Sequence, residues 1–507
     1  MHEVPFEPRP LQHLTSLVGA AREERLEAAA ARTRDLLGER TVWNVSSTAT
    51  GGGVAEMLAA LLPTVAGAGL RCRWLVLDAG PDFFAVTKRL HNRLHGAAGD
   101  EGDLGEAERR TYREALAAEA GALAERVRPG DVVLLHDPQT AGLVDVVREA
   151  GAVAVWRCHV GRDTGDERTE EAWAVLRPFV ERMSAVVLSR AAYRPAWLRE
   201  DVTWVVPPAI DPFSVKNADM DTATAREVLA RAGLLAGPTA EGSTVRLADH
   251  EVVVRRRAEV LREGPPLDPA TPVVVQVSRW DRLKDMRGLL EAFAEHVVGA
   301  AGDGAVDDAH LVLAGPSTEG VSDDPEGARV LAECEEAWRA LPAAARRRAH
   351  LVSLPMADVA ENAAMVNALQ RHAAVVVQKS LVEGFGLTAS EAMWKARPVV
   401  ASAVGGLQDQ VEDGRSGRLA PPDDAVAFAA ALRGAGRPGG GEGARPHGAG
   451  GRARPLPARP PAPPVGRGPR PRGGVGRRVR DRGRPAVRVD AARPGRASPV
   501  ARLRPPR

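Results

Sequence analysis

Residues 378–397 hold the side chains whose types and spacing most clearly indicate ligand chemistry. An apolar run at 373–377 precedes them and predicts a buried strand, and helical spacing follows over 387–395. Between strand and helix, Gly384 and Gly386 allow the backbone to turn sharply and to approach a ligand closely. The unpaired N–H groups and the dipole at the start of a helix favour a bound phosphate. The segment therefore predicts a phosphate cradle.

Two glutamates accompany this cradle. Glu383 belongs to the loop, and Glu391 lies eight residues later in the predicted helix. A carboxylate is a poor partner for phosphate, but it accepts hydrogen bonds from sugar hydroxyls. A phosphate joined to a sugar would satisfy both kinds of group. A pair of surface glutamates on an ordinary strand–loop–helix unit would show the same spacing, so the rest of the chain has to decide between the two interpretations.

A second group of charged residues follows the strand predicted at 272–277. Arg279 and Lys284 belong to the loop after that strand, in the same half of the chain as the two glutamates. Two fixed cations there could stabilise a diphosphate as its bond to a sugar breaks. Asp281 and Asp285 could instead pair with them in an ordinary solvated loop. The functional interpretation depends on the expectation that this loop and the glutamates share one cleft.

A glycine-rich turn and several polar residues also follow strands that are predicted in the first half of the chain. Gly52 and Gly53 belong to a turn between a strand and a helix, although flexibility is the common explanation of such a turn. Asp137 and His159 each follow an apolar run of strand length. Open α/β sheets bind ligands at the carboxyl ends of their strands. Spacing alone nevertheless favours a capping role for His159.

Strand and helix patterns alternate along most of the chain, which predicts an α/β fold of doubly wound, Rossmann-like units. The predicted strands are 41–45, 73–77, 131–136, 152–156, 185–189, 202–206, 272–277, 310–315, 350–354, 373–377 and 398–401. A proline-rich linker at 207–212 separates two halves, and the charged stretch 220–262 after it is predicted to be helical. The expected units are 1–207, an N-terminal Rossmann-like domain, and 208–436, a C-terminal Rossmann-like domain.

Cysteine content and hydropathy predict a cytoplasmic protein. The three cysteines, Cys72, Cys158 and Cys334, are widely spaced and odd in number, which argues against a disulfide framework or a zinc site. The first residues are neither basic nor apolar, so no signal peptide is expected. The apolar stretch 57–70 is too short to cross a bilayer, so no membrane partner is expected.

The last segment, 437–507, differs from the rest in charge and composition. It contains 19 Arg and three acidic residues, a net charge of +16, whereas residues 1–436 hold 49 basic and 63 acidic residues, a net charge of −14. With 15 Pro, 14 Gly and no aromatic residue, it predicts a disordered tail. A basic arm for nucleic acid is not expected, because aromatic residues for base stacking are absent. A GC-rich gene translated out of frame from near residue 433 would give this composition.

Seven blocks resemble trehalose synthases of the glycosyltransferring type and the related retaining trehalose phosphorylases. They are 43–58 (WNVSSTATGGGVAEML), 83–88 (FFAVTK), 136–139 (HDPQ), 156–159 (WRCH), 207–212 (PPAIDP), 277–285 (VSRWDRLKD) and 377–388 (VQKSLVEGFGLT). The blocks lie within a resemblance that runs from about residue 10 to about residue 434.

The resemblance implies a GT-B fold, in which two Rossmann-like domains face each other across the active-site cleft. It implies that 1–207 is the acceptor-side domain and that 208–436 is the donor-binding domain. It implies transfer of glucose from a nucleoside diphosphate glucose to glucose, with retention of the α configuration, to form trehalose. The phosphorylases of this group use α-glucose 1-phosphate and phosphate instead. It also implies small sugar substrates, no cofactor and no metal ion, and a homodimer is possible.

The resemblance also assigns roles to individual residues. Arg279 and Lys284 would stabilise the leaving phosphate, and Glu391 would bind the nucleotide ribose. Gly52 and Gly53 would approach the donor phosphate or the acceptor. His159 would lie near the reacting centre, and Asp137 would contact sugar. The donor-binding loop would comprise Glu383, Gly384, Phe385, Gly386, Leu387 and Thr388, with Glu383 holding the donor glucose.

Two segments depart from the family pattern. Residues 160–164 after His159 differ from what the family predicts, which leaves the roles of His159 and Asp137 open. The family also ends in amphipathic helices, which 437–507 cannot form. An inactive, truncated member of the family, or a polyanion-binding protein that kept the fold, therefore remains an alternative to an active enzyme.

Overall fold

The computed structural model describes residues 1–50, 52–100, 102–238, 244–247, 250–298, 306, 308–318 and 325–435. The predicted tail at 437–507 lies outside these residues. The described residues form two seven-stranded sheets and a separate hairpin. Both sheets lie in the same compact unit of the chain.

The first sheet has the strand order β1-β3-β2-β4-β5-β6-β7. All neighbouring strands are parallel except β1, which pairs antiparallel with β3. The strands are β1 (His2–Glu3), β2 (Val42–Ser46), β3 (Cys72–Val76), β4 (Val132–His136), β5 (Val153–Cys158), β6 (Ala185–Leu188) and β7 (Thr203–Val205).

Helices cover this sheet. They are α1 (Leu11–Val18), α2 (Ala20–Leu37), α3 (Gly53–Gly67), α4 (Pro81–Leu94), α5 (Glu106–Ala124), α6 (Asp137–Thr140), α7 (Val144–Glu149) and α8 (Glu167–Val180). Leu75 packs in one apolar cluster, with Phe83 and Trp156, while its neighbours Trp74 and Val76 pack in another. Successive side chains of a strand point to opposite faces, so this alternation shows that both faces of the sheet are buried.

The region after the linker is only partly helical, and the prediction of a helical stretch over 220–262 was wrong. Among the described residues of that stretch, only α9 (Thr222–Arg231) is a helix. A hairpin of β8 (Thr244–Leu247) and β9 (His250–Val253) follows, and then β10 (Glu259–Leu261). The β-branched residues Val252, Val253 and Val254 favour a strand, and Val252 and Val254 are buried against α9 and α13 residues in one apolar cluster.

The second sheet has the order β10-β13-β12-β11-β14-β15-β16 and is parallel except at β10. Its remaining strands are β11 (Val273–Val277), β12 (His310–Pro316), β13 (Ala349–Leu354), β14 (Val375–Gln378), β15 (Val399–Ser402) and β16 (Gly417–Ala420). Val274 packs in one apolar cluster while Val273 and Val275 pack in another. Helices therefore cover both faces, as the continuous apolar runs predicted.

The helices of the second half are α10 (Met286–His296), α11 (Pro325–Ala340), α12 (Ala343–Arg346), α13 (Val359–His372), α14 (Leu387–Trp394), α15 (Leu407–Gln410) and α16 (Ala425–Ala435). The alternating α/β architecture agrees with the prediction. In the described part of the chain, no helix is long and apolar enough to cross a membrane.

Candidate active site

The strand order of each sheet reverses at one point. In the first sheet the chain moves from β2 to β3 on one side and then to β4 on the other, and in the second it moves from β11 to β12 and later to β14. Ligand crevices of open α/β sheets form beyond the carboxyl ends of strands at such reversals. The loops after these strands carry most of the residues that the sequence singled out.

Lys284 and Glu383 meet at the reversal point of the second sheet. Lys284 Nζ donates to Glu383 Oε1 at 2.8 Å and to Oε2 at 2.7 Å. Ser380 Oγ also donates to Oε2 of Glu383, at 2.9 Å. The fully buried Gln276 joins the two loops, because its Nε2 donates to the carbonyl of Lys284 and its Oε1 accepts from the amide of Lys379. The loop after β11 and the loop after β14 therefore lie side by side, as the sequence predicted.

Arg279 lies in the same loop but is more accessible. Its side chain is 52% exposed and contacts Asp281 at 3.3 Å, while Asp285 pairs with Lys379. Of the two ion pairs that the alternative interpretation predicted, one is therefore present: Asp281 pairs with Arg279. Lys284 pairs with Glu383 instead of an aspartate. Burial opposes the charge of Asp281, but Arg279 and Lys284 together hold the pKa of this carboxyl below its ordinary value.

Gly384, in the loop after β14, faces the N-terminal half of the chain. A Cβ placed on Gly384 would lie 3.0 Å from the carbonyl oxygen of His159. A Cβ on Gly53, the first residue of α3, would lie 3.4 Å from Cδ1 of Leu387, the first residue of α14. The preceding Gly52 has a φ of +95°, which favours glycine. The amino ends of one helix from each half therefore approach each other at the crevice.

His159 belongs to a partly buried polar cluster behind this contact. Its amide donates to Asp137 Oδ1 at 2.6 Å, and Arg157 Nε lies 3.2 Å from its Nε2. The ring of His136 stacks parallel to that of His159 at 5.7 Å. Burial, with His136 and Arg157 nearby, lowers the pKa of His159 well below its ordinary value, so the ring is neutral. Burial raises the pKa of Asp137 to about 7.

Glu391 lies in a separate network from Glu383. It is 5% exposed, its Oε1 lies 3.8 Å from Lys216 Nζ, and its Oε2 lies 3.4 Å from Gln370 Nε2. Lys216 Nζ also binds both carboxylate oxygens of Glu56, in α3, at 2.9 Å and 2.8 Å. Burial raises the pKa of Glu391, and the charges of Lys216 and Lys395 oppose that rise.

Two family models match the chain. The model for the N-terminal domain of trehalose synthase matches residues 44–195, and the model for group 1 glycosyl transferases matches 271–435. The chain is 30% identical to the trehalose synthase of Thermococcus litoralis over 82% of this chain and 85% of that protein. It is 32% identical to that of Rubrobacter xylanophilus, over 74% and 77% respectively. The chain belongs to the trehalose synthase family.

Fold and enzyme class follow from these matches. A trehalose-phosphate synthase of Burkholderia xenovorans, described as UDP-forming, superposes with a TM-score of 0.55 at 15% identity, over 78% of this chain and 90% of that one. Together with the two parallel sheets, this likeness confirms the GT-B fold. As a member of the trehalose synthase family, the protein is a glycosyltransferase of trehalose metabolism.

The trehalose synthase family motifs do not all come together. Lys284 and Glu383 are in contact, and Gly53, Gly384, Leu387 and His159 lie at the same approach between the halves. Arg279 lies at the exposed edge of the loop, and Glu391 lies in the network of Lys216. Among the described residues, no group of three or more His, Cys, Asp and Glu side chains is placed to hold a metal ion.

Two histidines at the carboxyl end of α4 were not identified from the sequence: His91 lies within the helix, and His95 lies just after it, near the loop of Gly384. A Cβ on Gly384 would lie 3.5 Å from Cε1 of His95, and the rings of His95 and His91 are 5.0 Å apart. His95 Nδ1 lies 3.0 Å from the carbonyl of Gly161, which can only accept, so Nδ1 carries the hydrogen. Burial, and then Lys284, lower the pKa of His95 to about 4. The spacing of Lys88, His91 and His95 on one helix face could have indicated this.

Proposed function

We propose that the enzyme transfers glucose from a nucleoside diphosphate glucose to a second glucose, with retention of the α configuration, and so forms trehalose. The observation that carries this proposal is the contact of Lys284 with Glu383 beyond β11 and β14, facing the N-terminal half. The substrate that suits this pair is a sugar joined to a phosphate, because Lys284 can bind the phosphate and Glu383 can accept hydrogen bonds from the sugar. The matches to trehalose synthases support glucose as the sugar.

Lys284, Arg279 and the amino end of α14 would bind the diphosphate. As the bond between C1 of glucose and the phosphate oxygen breaks, its electron pair goes to that oxygen, and these groups stabilise the negative charge. The acceptor hydroxyl bonds to C1 on the same face of the sugar and gives its proton to the departing phosphate. Glu383, within this arrangement, binds a hydroxyl of the donor glucose and is not a nucleophile.

Glu391 would bind the ribose of the donor. Its carboxylate is buried in the helix that follows the donor loop, where a ribose hydroxyl would provide a hydrogen bond. Lys216 and Lys395 oppose the rise in its pKa, which favours the ionised form that accepts hydrogen bonds. This residue is the feature that supports a nucleotide donor over a donor without ribose.

The N-terminal half would bind the acceptor. His159 and Asp137 would lie near the reacting centre, and Gly52 and Gly53 would leave room for the acceptor or the donor phosphate. The residues need no metal ion or cofactor for these roles. We propose sugar substrates as the partners, a cytoplasmic location, and possible assembly as a homodimer; neither nucleic acid nor membrane is a proposed partner.

A phosphorylase is the second candidate. Glu391 already has Lys216 and Gln370 as partners, so a donor without ribose would leave no charge unpaired in that network. The chain is also 25% identical to a trehalose phosphorylase of Pleurotus pulmonarius over 76% of this chain, but it spans about half (51%) of that protein. Such an enzyme would transfer glucose from α-glucose 1-phosphate to a second glucose, which forms trehalose and releases phosphate, and it would run the same reaction in reverse.

Incubation with glucose and one donor at a time tests both candidates. ADP-glucose, UDP-glucose and α-glucose 1-phosphate are supplied separately, and trehalose is detected by chromatography before and after trehalase treatment. Trehalose with release of a nucleoside diphosphate is the expected result, and Lys284→Met should abolish it. Trehalose from glucose 1-phosphate alone would establish the phosphorylase instead. No trehalose from any of these donors, with protein that is folded by circular dichroism, would favour the inactive family member.

A further inference from the structure

Tyr193 reaches from the N-terminal half to the backbone of the donor loop. Its hydroxyl oxygen lies 2.9 Å from the carbonyl oxygen of Glu383 and 2.7 Å from that of Gly384. A hydroxyl has one hydrogen to donate, so the two carbonyls share it. Tyr193 is buried, and this burial, with Asp163 nearby, raises the pKa of its hydroxyl above the usual range. The group therefore remains a donor at any working pH.

Asp163 holds a second loop of the C-terminal half. Its Oδ2 accepts from the amide of Gly405 at 3.1 Å and from Nε2 of Gln408 at 2.8 Å. Its Oδ1 pairs with Arg190, whose Nε lies 2.9 Å from Asp409 Oδ2. Asp163 belongs to residues 160–164, the segment that departs from the family pattern. That segment thus supplies a contact between the halves.

Two glycines make room for these contacts. Gly405 has a φ of +48°, and a Cβ there would lie 1.7 Å from the carbonyl oxygen of Glu383 and 2.7 Å from the Tyr193 hydroxyl. A Cβ on Gly161 would lie 2.3 Å from the ring of Tyr193. The carbonyl of Glu383 is therefore enclosed between the tyrosine and Gly405. Its orientation is fixed by residues that do not belong to the donor loop.

We infer that Tyr193 and Asp163 are positioning residues, which fix the Glu383–Gly384 peptide and so orient the Glu383 carboxylate towards Lys284 and the donor sugar. Both come from the half opposite the donor loop, so their bonds form only when the two halves approach. They act on turnover more than on the first binding of donor. The inference rests on the proposed function in one respect, that Glu383 binds the donor sugar.

Replacement of the tyrosine hydroxyl tests this role. A hydrogen bond contributes up to about tenfold in an equilibrium or rate, so Tyr193→Phe should lower kcat about 10-fold and change the donor KM about 2-fold or less. Asp163→Ala should act in the same direction. Asp163→Asn should recover part of the lost kcat, because the amide oxygen still accepts from Gly405 and Gln408 while the ion pair with Arg190 is lost.

The other tyrosine of the chain is a matched control. Tyr112 is also buried, and its hydroxyl donates to the carbonyl of Pro138 at 2.7 Å and accepts from Gly142 at 3.0 Å, within the N-terminal half. Tyr112→Phe removes the same group and should lower the melting temperature while leaving kcat within about 2-fold. Equal kinetic losses in Tyr112→Phe and Tyr193→Phe would reduce Tyr193 to a structural role and overturn the inference.

Amide hydrogen exchange gives a result that does not depend on activity. Asp163→Ala should speed exchange at the Gly405 amide, and Tyr193→Phe should speed it across 384–386, relative to the parent and to Tyr112→Phe. Unchanged exchange at these amides would contradict the inference even if every donor proved inactive. An inactive parent with the expected exchange would contradict the proposed function alone. If Tyr193→Phe does not fold, kcat and exchange at the Gly405 amide are compared between Asp163→Asn and Asp163→Ala. Equal values in these two variants would contradict the inference.

Discussion

Lys284 Nζ lies within 2.8 Å of both carboxylate oxygens of Glu383, 99 positions away in the chain. The contact joins the loop after β11 to the loop after β14. The side chains are only 18% and 9% exposed, so removal of either leaves a largely buried charge with fewer partners. In the proposed mechanism, Lys284 stabilises the phosphate and Glu383 binds the donor sugar. The contact between them would therefore couple the two tasks.

The two cations proposed for the diphosphate should be needed for turnover. Arg279→Ala and Lys284→Ala are each expected to lower kcat by about 100-fold or more, because a developing negative charge loses its stabilising partner. The charge grows in the transition state, so kcat should fall more than KM rises. Steady-state kinetics with the active donor measures both constants.

Arg282 provides the control for these two variants. It lies in the same loop, its side chain is 54% exposed, and it pairs with Glu333 in α11. Arg282→Ala should leave kcat within about 2-fold of the parent. Near-normal turnover in both Arg279→Ala and Lys284→Ala would remove the cations from the mechanism.

Glu391→Gln separates the two candidate donors. With a nucleotide sugar, the variant should raise the donor KM about 10-fold, because the ribose hydroxyl loses a charged acceptor. With α-glucose 1-phosphate, the KM should change little. Glu56→Gln is the control, since it removes the other carboxylate that binds Lys216 and does not touch the proposed ribose site. An unchanged KM for a confirmed nucleotide donor would rule out the ribose role.

His350 should make the fold sensitive to acid. It is 3% exposed, its Nε2 lies 2.9 Å from His310 Nδ1, and burial, with His310 and Arg262, lowers its pKa to about 3. The unfolded chain binds a proton on this ring below about pH 6.5, whereas the folded chain does so only near pH 3. The contribution to the free energy of unfolding is therefore lost as the pH falls between these values, by up to about 1.4 kcal/mol per unit.

Melting temperatures between pH 7.5 and 4.5 measure that contribution. His350→Leu should have a lower melting temperature at pH 7.5, because a hydrogen bond is lost, but a shallower decline towards pH 4.5. His13→Leu, at an exposed position of α1, should keep the slope of the parent. Parallel curves for the parent and His350→Leu would show that this ring does not set the acid sensitivity.

The sheets and the loops of the site could be predicted from the sequence, because both follow from the pattern of apolar residues along the chain. Parallel strands buried on both faces give continuous apolar runs such as 273–277 and 373–377. The residues after those runs lie at the carboxyl ends of adjacent strands, so the approach of Lys284 to Glu383 follows from the doubly wound topology. The two seven-stranded sheets agree with this logic, although the short edge strands β1, β10 and β16 were not predicted.

Pairing between distant side chains was not predictable in the same way. Their positions in the loop made Asp281 and Asp285 equivalent candidates for pairing with its cations. Asp285 instead pairs with Lys379, 94 positions away. Glu391 is predicted to lie near the ribose, and its spacing gave no indication of its ion-pair partner Lys216, which lies shortly after the linker. The helical prediction for 220–262 failed for a related reason, because tertiary packing of the valines at 252–254 outweighed the helical pattern.

Gly384 should tolerate no side chain during turnover, although its φ lies outside the left-handed region. An added Cβ would lie 3.0 Å from the carbonyl oxygen of His159, so Gly384→Ala has to move the donor loop away from the N-terminal half. We expect kcat to fall about 10-fold or more, because a small displacement of groups that position a substrate is costly to the rate. Gly121→Ala, in α5 with no atom within 4 Å of the added carbon, should keep kcat and stabilise the fold by about 1 kcal/mol. Parental kcat in Gly384→Ala, measured at saturating donor and acceptor, would show that the two halves need not approach this closely during the reaction.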